Sequence, residues 1–418
     1  MKDISVNSIK RSKFMYILEA AFEHLINLLV AGSFLATLTK ELGFSDSLTG
    51  ILSSIISLGC LFQLFSIAIR KTTVKRFVVI FSIINQVLFM LLYVTPLIKF
   101  SQQTKIFLFV VLIFSAYLIY NVAHPKKINW LMSLVENNKR GSFTANKEMI
   151  SLISGMLFSF LMGAVTDYYS NKGEIRIAFL ISTIVIFTLM ILHTLTMIFA
   201  IEKPSPTQNR KDLKHTVSEL IKNKNILRIA LIFALYYIST YISTPFYGTY
   251  IIGELGMSLK FASAITICGS VSRILVSKFW GKYADKKSFV AMIEKCFIFL
   301  SLSQICIVFC VPESGKVMFT LYYLLHGVAL GGINSALTNL IFEYVDIEKR
   351  ADALAITQAF AGVTGFLTTL CISPLVSLIQ VNGNTIFGLN IYPQQLVTFF
   401  ALIFTVIAIF YTRCAFKK

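Results

Sequence analysis

The chain has 418 residues, of which 56% are hydrophobic and only 14% are charged. Soluble domains carry roughly 25% charged residues, so this composition excludes a soluble globular protein. A net charge of +18 is also found in nucleic-acid-binding proteins, but here the basic residues are distributed between apolar segments and do not form one patch, which excludes a nucleic-acid partner.

Twelve apolar segments follow one another, each long enough to cross a hydrocarbon core of ~30 Å as a helix. They are residues 14–38, 48–69, 77–98, 106–134, 148–166, 177–200, 229–252, 261–281, 288–311, 317–344, 354–380 and 394–412. We therefore predict an all-α membrane protein in which short loops make consecutive helices antiparallel neighbours. The first segment carries Glu19, Glu23 and His24 and lacks a small-residue cleavage site, so we predict a retained helix and not a signal peptide.

Lys and Arg residues are distributed unequally between the two sides of the membrane. With the N-terminus placed inside, the inner segments hold 27 of them and the outer segments hold 7. This bias predicts a multi-pass protein of the cell membrane with both termini in the cytoplasm. The remaining four basic residues, which fall inside predicted helices, are Lys126, Lys127, Arg273 and Lys295.

The chain contains an internal duplication. Residues 134–157 and 344–367 match at a constant offset of 210 residues, with six identities in 24 positions. The identities join Val135 with Val345, Lys139 with Lys349, Arg140 with Arg350, Ala145 with Ala355, Gly155 with Gly365, and Leu157 with Leu367. Such a repeat predicts two similar membrane halves, residues 1–201 and 229–418. The basic stretch 202–228 joins them as a cytoplasmic loop, either a solvated linker or, through its apolar residues at helical spacing, an amphipathic surface helix.

Six plus six helices, cytoplasmic termini, a long basic central loop and a half-chain repeat resemble the major facilitator superfamily. The loop after the eighth helix adds Gly281, Asp285 and Lys286, which resemble the Gly-x-x-x-Asp-Arg/Lys signature of the family. The loop after the second helix, residues 70–76, has neither Gly nor Asp and departs from that pattern. The resemblance implies two pseudo-symmetric six-helix bundles and alternating access to a central site.

The resemblance also implies a cytoplasmic gate. Asp285 would lie against the start of the fifth helix, where exposed N–H groups favour a carboxylate. Gly281 would allow a close approach of two helix ends, and Lys286, Arg140 and Arg350 would complete the gating set. The alternative is an ordinary solvated turn.

Glu19, Glu23 and Asn27 recur every four residues on the first helix and therefore form one polar stripe. A carboxylate within the hydrocarbon is a functional candidate by default. Glu23 lies nine residues beyond Phe14, or roughly 13 Å deep, which is near the midplane. We predict that Glu23, with Glu19, couples transport to protons, whereas His24 points away from the stripe and packs against a neighbouring helix.

The fourth helix carries His124, Lys126, Lys127 and Asn129 in one run. Either the helix ends at His124 and both lysines face the cytoplasm, or it continues and buries them. The repeat favours continuation, because the matching stretch around Asn334 is uncharged. Lys126 would then lie at the depth of Glu23.

Other polar residues of predicted helices are candidates for the same cavity. Arg273 on the eighth helix lies eight residues from its inner end, at the depth predicted for Lys126, and Gln63 aligns with it in the repeat. Tyr237 and Tyr241 lie one turn apart on the seventh helix, which Pro245 should interrupt. The predicted substrate-binding set is Lys126, Lys127, Arg273, Asn27, Gln63, His124, Asn129, Tyr237, Tyr241 and Asn334.

These features predict a secondary active transporter of a small solute, coupled to protons, whose substrate carries an anionic group bound by Lys126 and Arg273. Alternatively the glutamates pair with the lysines and the cavity takes a neutral sugar or a lipophile, the latter as in a multidrug efflux antiporter. A non-transporting membrane sensor of the same fold is a third possibility. Motifs for ATP binding, metal binding and nucleophilic catalysis are missing from the sequence, so we predict no enzyme, cofactor or metal. The expected partners of a monomer are substrate, protons and lipid.

Overall fold

The computed structural model describes residues 6–62, 74–136, 140–202, 223–345, 350–386 and 388–416, and these are almost entirely helical. In the first half, a 3₁₀ turn (Thr95–Leu97) directly follows the helix that ends at Val94. The helices of this half are α1 (Val6–Leu29), α2 (Gly32–Glu41), α3 (Asp46–Phe62), α4 (Val74–Val94), α5 (Gln102–Met132), α6 (Arg140–Asn171) and α7 (Ile175–Phe199).

The second half continues with α8 (Lys224–Tyr241), α9 (Leu259–Lys286), α10 (Phe289–Val308), α11 (Gly315–Tyr344), α12 (Arg350–Val381) and α13 (Pro393–Ala415). As predicted from Pro245, α8 ends at Tyr241, and a 3₁₀ turn (Thr244–Phe246), a helical turn (Tyr247–Thr249) and a π-helical stretch (Tyr250–Glu254) follow it. A hairpin of two short antiparallel strands, β1 (Thr385–Ile386) and β2 (Leu389–Asn390), precedes α13.

The predicted all-α membrane fold is confirmed. Within the described ranges, ten helices are long and apolar enough to cross a membrane, and α1 with α2 forms a bent pair that would be an eleventh span. Helix α3 is apolar but shorter, at 17 residues, and borders residues outside the described ranges. The count is compatible with twelve predicted helices. Helix α5 continues to Met132, so the prediction that the fourth helix runs past His124 is also confirmed.

The first predicted segment is not one straight helix. It bends by 40° between α1 and α2, where Gly32 has a φ of +54°. Residues with a side chain rarely adopt this left-handed conformation, so the glycine permits the bend. The prediction of a continuous helix from 14 to 38 missed this break.

The described helices form two compact units. The first unit contains α1, α2, α4 to α7 and the first turn of α9, and the second contains α3, α8, the rest of α9 and α10 to α13. In the first unit α1 packs on α6 and α7, and α4 packs on α5 and α7. In the second, α8 packs on α12 and α13, and α10 packs on α11 and α13. The two units thus use the same helix pairs, as expected from the repeat.

The repeated glycines explain part of this shared packing. A Cβ atom on Gly155 of α6 would lie 2.7 Å from the ring of His24 on α1. A Cβ atom on Gly365 of α12 would lie 2.8 Å from the ring of Tyr241 on α8. In both units the glycine therefore makes room for a ring from the neighbouring helix, which places His24 in the packing role predicted for it.

Candidate functional site

Four ionisable side chains meet in the interior of the first unit. Glu19 and Glu23 come from α1, Lys127 from α5 and His193 from α7, and we refer to these four as the charge cluster. The Lys127 Nζ atom lies 2.9 Å from Glu19 Oε1 and also contacts Glu23 Oε2. The His193 Nε2 atom lies 3.1 Å from Glu19 Oε1 and 3.6 Å from Glu23 Oε2. One ammonium group and one imidazole are thus shared by two carboxylates.

Local helix geometry produces this convergence. Glu19 and Glu23 are four residues apart, so both carboxylates project from one face of α1. Helix α5 is unbroken from Gln102 to Met132, which brings Lys127 inside the unit instead of leaving it in a loop. Helix α7 packs on both α1 and α4 and directs His193 toward the carboxylates.

Two neutral side chains surround the cluster. Gln86 of α4 places its Nε2 atom 2.9 Å from His193 Nδ1. The hydroxyl of Tyr120 donates a hydrogen bond of 3.2 Å to Glu23 Oε1. His193, Glu19 and Lys127 are 0%, 1% and 4% exposed, respectively. Electrostatic interactions between groups so far removed from water are strong, so each charge depends on its partners.

Glu23 is the cluster member that reaches open space. Its side chain is 15% exposed and borders a small pocket with room for about one water molecule. The other residues lining this pocket are Phe81, Ser82, Asn85, Tyr120, Ala123, His124 and Lys127. His124 Nδ1 is buried there without a hydrogen-bond partner among the described residues. A pocket of this size, with several polar groups in a largely apolar wall, suits a water molecule.

Glu19, Glu23 and His193 also bring three possible metal-ligand atoms within 4.8 Å of one another. However, the ammonium group of Lys127 contacts both carboxylates and already supplies the positive charge that a metal ion would bring. A metal ion at the same point would be repelled by this lysine. We therefore interpret the cluster as an internal ion-pair network and not as a metal centre.

The structure places the two predicted lysines differently. Lys127 meets Glu23, whereas the Nζ atom of the half-buried Lys126 lies 4.8 Å from the centre of the Phe77 ring. Consecutive residues on a helix point about 100° apart, so both cannot face the same cavity. Asn27 is half-buried one turn beyond Glu23, and no side-chain hydrogen bond between it and the cluster is described.

Among the predicted residues of the second unit, two are described in contact with each other. The rings of Tyr237 and Tyr241 stack with their centres 5.6 Å apart. Arg273 is half-buried and forms no ion pair with any carboxylate of the described residues, and Asn334 is exposed.

The predicted gating residues lie at the end of α9. Asp285 and Lys286 are exposed there. A Cβ atom on Gly281 would meet nothing within 4 Å, so no close approach in the described structure requires this glycine. Several predicted residues fall outside what is described: Gln63 entirely, the side chains of Asn129, Arg140 and Arg350, and the stretch 203–222 of the central loop.

A further carboxylate contact joins α6 and α9, the two helices of the predicted gate. It lies at the ends of these helices opposite to that gate. Asp167 of α6 accepts hydrogen bonds from the backbone N–H groups of Leu259 (2.8 Å) and Lys260 (2.6 Å) in the first turn of α9. Nearby, a Cβ atom on Gly163 would lie 3.0 Å from Ser263 Oγ. A carboxylate at a helix N-terminus is stabilised by the unsatisfied N–H groups and the helix dipole.

Sequence reasoning missed His193, Gln86 and Tyr120. His193 and Gln86 are polar residues well inside predicted apolar segments, and the depth count applied to Glu23 would have identified both. Tyr120 lies one helical turn before His124 on the same helix but resembles any other buried tyrosine. Its hydrogen bond to Glu23 can be seen only once α1 and α5 are packed.

Comparisons with known proteins agree with this architecture. The family model of the Major Facilitator Superfamily matches residues 20–369. The comparison with curated proteins gave no match. Among solved structures, a point mutant of the nucleoside transporter NupG has a TM-score of 0.76 at 14% identity and covers 97% of this chain and 100% of its own.

Two other structures are also similar. The POT family transporter PepTSo has a TM-score of 0.73 at 12% identity, with 97% of this chain and 98% of that chain covered. A bacterial homologue of the iron transporter ferroportin, in an inward-facing state, has a TM-score of 0.72 at 12% identity, with 99% and 100% covered. Likeness at such low identity shows the fold alone, but the family model spans most of the chain. The chain therefore belongs to the major facilitator superfamily and is a membrane transporter, not an enzyme.

Proposed function

We propose that the chain is a proton-coupled secondary active transporter of a small solute, located in the cell membrane with both termini in the cytoplasm. The observation that carries this proposal is the buried charge cluster. Ionisable groups within a membrane protein are costly and mark substrate or proton pathways. Four of them, beside a small pocket in a transporter of this family, form a suitable centre for binding and releasing a proton.

The charge balance of the cluster favours a proton as the coupled ion. Two carboxylates and the Lys127 ammonium leave a net charge of −1 when His193 is neutral, and zero when it is protonated. Gaining or losing one proton thus switches the cluster between a neutral and a charged state, without any other ion. Because Glu23 borders the pocket, it is the group through which the proton enters and leaves.

Gln86 can accommodate both states of His193. When the amide nitrogen of Gln86 faces Nδ1, it donates a hydrogen bond there. The imidazole then accepts at Nδ1 and is therefore neutral. If the amide turns over, its oxygen accepts a hydrogen bond from a protonated Nδ1, and the imidazolium then donates from both nitrogens. In the observed orientation Gln86 Oε1 has no hydrogen-bond partner among the described residues. Turning the amide therefore breaks no hydrogen bond between this oxygen and a described residue.

On the substrate side, Lys127 is already neutralised by two carboxylates, so an anionic group would be bound from the second unit. We propose Arg273 for this role, because an arginine within a membrane helix needs a compensating charge and can bind a carboxylate or phosphate through two parallel hydrogen bonds. His326, whose Nδ1 atom is buried without a described partner, belongs to the same unit. A lipophile or neutral solute is the alternative, and the stacked pair of Tyr237 and Tyr241 favours it.

Flux into proteoliposomes loaded with a pH-sensitive dye tests the proposal. The panel contains nucleosides, dipeptides, sugars, organic anions and lipophilic cations. We expect at least one solute to change the internal pH with the parent protein and not with empty liposomes. Transport of a solute without any proton movement would contradict proton coupling. Binding without flux would instead indicate a sensor. Unchanged affinity for that solute in Arg273→Gln would contradict the anion-binding role.

A further inference from the structure

Two carboxylates converge on one amide group in the second unit, at the start of α3. Gln380 Nε2 lies 2.8 Å from Asp46 Oδ2 and 3.1 Å from Glu254 Oε1. Asn384 Nδ2 lies 3.2 Å from Glu254 Oε2, and Gln394 Nε2 lies 3.3 Å from Asp46 Oδ2. We refer to these five residues as the carboxylate–amide cluster. All of its side chains are oxygen-bearing.

The cluster has no positive charge of its own. Among the described residues, no Lys, Arg or His forms an ion pair with Asp46 or Glu254. Asp46 is in the first turn of α3, where the helix dipole offsets only part of one negative charge. Two carboxylates facing the same point therefore leave a local charge close to −2.

Two amide oxygens of the cluster lack donors. Gln394 is 0% exposed, and its Oε1 atom is buried without a hydrogen-bond partner among the described residues. The same is true of Asn384 Oδ1. A buried carbonyl oxygen without a partner is costly. Turning an amide exchanges the positions of its oxygen and nitrogen. With a cation between the amides and the carboxylates, these side chains would therefore direct their oxygens toward that cation.

The backbone holds this arrangement in place. Asn384 has a φ of +57°, which is unusual for a residue with a side chain but tolerated by Asn. Its N–H group donates to Ile379 O at 3.0 Å, and its carbonyl accepts from Ile391 N at 2.8 Å. Residue 384 is thus fixed between the end of α12 and the short hairpin, and its side chain stays beside Glu254.

We propose that the carboxylate–amide cluster binds a divalent hard cation of the calcium type. Calcium takes carboxylate and amide oxygens in flexible geometries with six to eight ligands, whereas magnesium demands a near-ideal octahedron and keeps several waters. A charge of +2 matches the two carboxylates. In the proposed orientation, with both termini in the cytoplasm, this end of the unit faces outside the cell. Weakly binding extracellular calcium sites have dissociation constants of about 10⁻⁴ to 10⁻³ M.

The test uses the full-length protein, stripped with EDTA in detergent and titrated with calcium chloride by calorimetry and thermal unfolding. We expect binding in that range and a calcium-dependent rise in Tm, because the ion binds only the folded state. Asp46→Asn and Glu254→Gln should each weaken binding at least about tenfold, as each removes a charged ligand. Glu174→Gln, at an exposed carboxylate of the first unit, should bind calcium like the parent.

The EDTA-treated state separates a binding role from a purely structural one. Removing one of two like charges should leave Asp46→Asn and Glu254→Gln at least as stable as the parent without calcium. A lower Tm of both variants in EDTA, together with an unchanged calcium response, would mean that the carboxylates serve only as hydrogen-bond acceptors. An absence of calcium binding by the parent, or an equal response to magnesium or sodium, would also overturn the proposal.

Discussion

The adjacent lysines of α5 provide a direct test of the charge cluster. Lys127→Met removes the ammonium group that Glu19 and Glu23 share, whereas Lys126→Met removes the same charge from the same helix without touching either carboxylate. The two variants have identical composition. Any difference between them therefore reports on the position of the lysine and not on the loss of a positive charge.

The structure sets the expected magnitudes. Lys127 is 4% exposed and Glu19 is 1% exposed, so Lys127→Met would leave two carboxylates facing each other in an apolar interior. Breaking a buried pair by removing one partner costs about 3 to 5 kcal/mol. Lys126 is half-buried and contacts the Phe77 ring, an interaction that contributes about 0.5 to 1 kcal/mol at exposed sites. We expect a clear decrease of Tm for Lys127→Met and a small one for Lys126→Met.

Thermal unfolding of the purified variants in detergent, followed by intrinsic fluorescence, measures the difference. A second substitution adds a control: Glu19→Gln in the Lys127→Met background removes one of the two carboxylates that have lost their lysine and should restore part of the lost stability. Non-additivity of this kind is the signature of groups in direct contact. Equal Tm values for the two lysine variants, or no recovery in the double variant, would refute the ion-pair network.

Three further predictions concern packing and helix termini. Gly155→Ala should lower Tm because its Cβ atom would clash with the His24 ring, at a cost of about 1 to 3 kcal/mol. Gly281→Ala should leave Tm unchanged, because a Cβ atom there meets open space. Equal effects of the two substitutions would contradict the packing account. Asp167→Asn should destabilise the protein by about 1 kcal/mol, and an unchanged Tm would show that its contacts to α9 are dispensable. Asp285→Asn should shift the population toward the inward-open form and increase thiol labelling of a cysteine introduced on the cytoplasmic side; unchanged labelling would identify Asp285 as an ordinary loop residue.

Much of the fold could be predicted because membrane helices are governed by one strong rule. Backbone groups in lipid must satisfy their own hydrogen bonds, so each long apolar segment becomes a helix. The repeat then indicated which helices are equivalent, and the shared helix pairs of the two units agree with it. The bend at Gly32 could not be foreseen, because a glycine within a membrane helix is compatible with both a straight and a broken chain.

The site was predicted in part, for reasons that depend on side-chain direction. Depth along a helix follows from counting residues, and this placed Glu23 among the candidates. The face of a helix does not follow from depth, so the count chose Lys126 where the structure brings Lys127 to the glutamates. His193 contributes from α7, and only tertiary packing shows that α7 lies beside α1.

The central claim is that Glu23 couples solute movement to protons. The most direct measurement compares Glu23→Gln with the parent in proteoliposomes, using the solute identified by the dye assay, under an imposed pH gradient and in solute exchange without a gradient. Glu41→Gln, at an exposed position at the end of α2, is the matched control. We predict that Glu23→Gln exchanges solute but does not accumulate it against a gradient, while the control does both. Full uphill accumulation by Glu23→Gln would contradict the account.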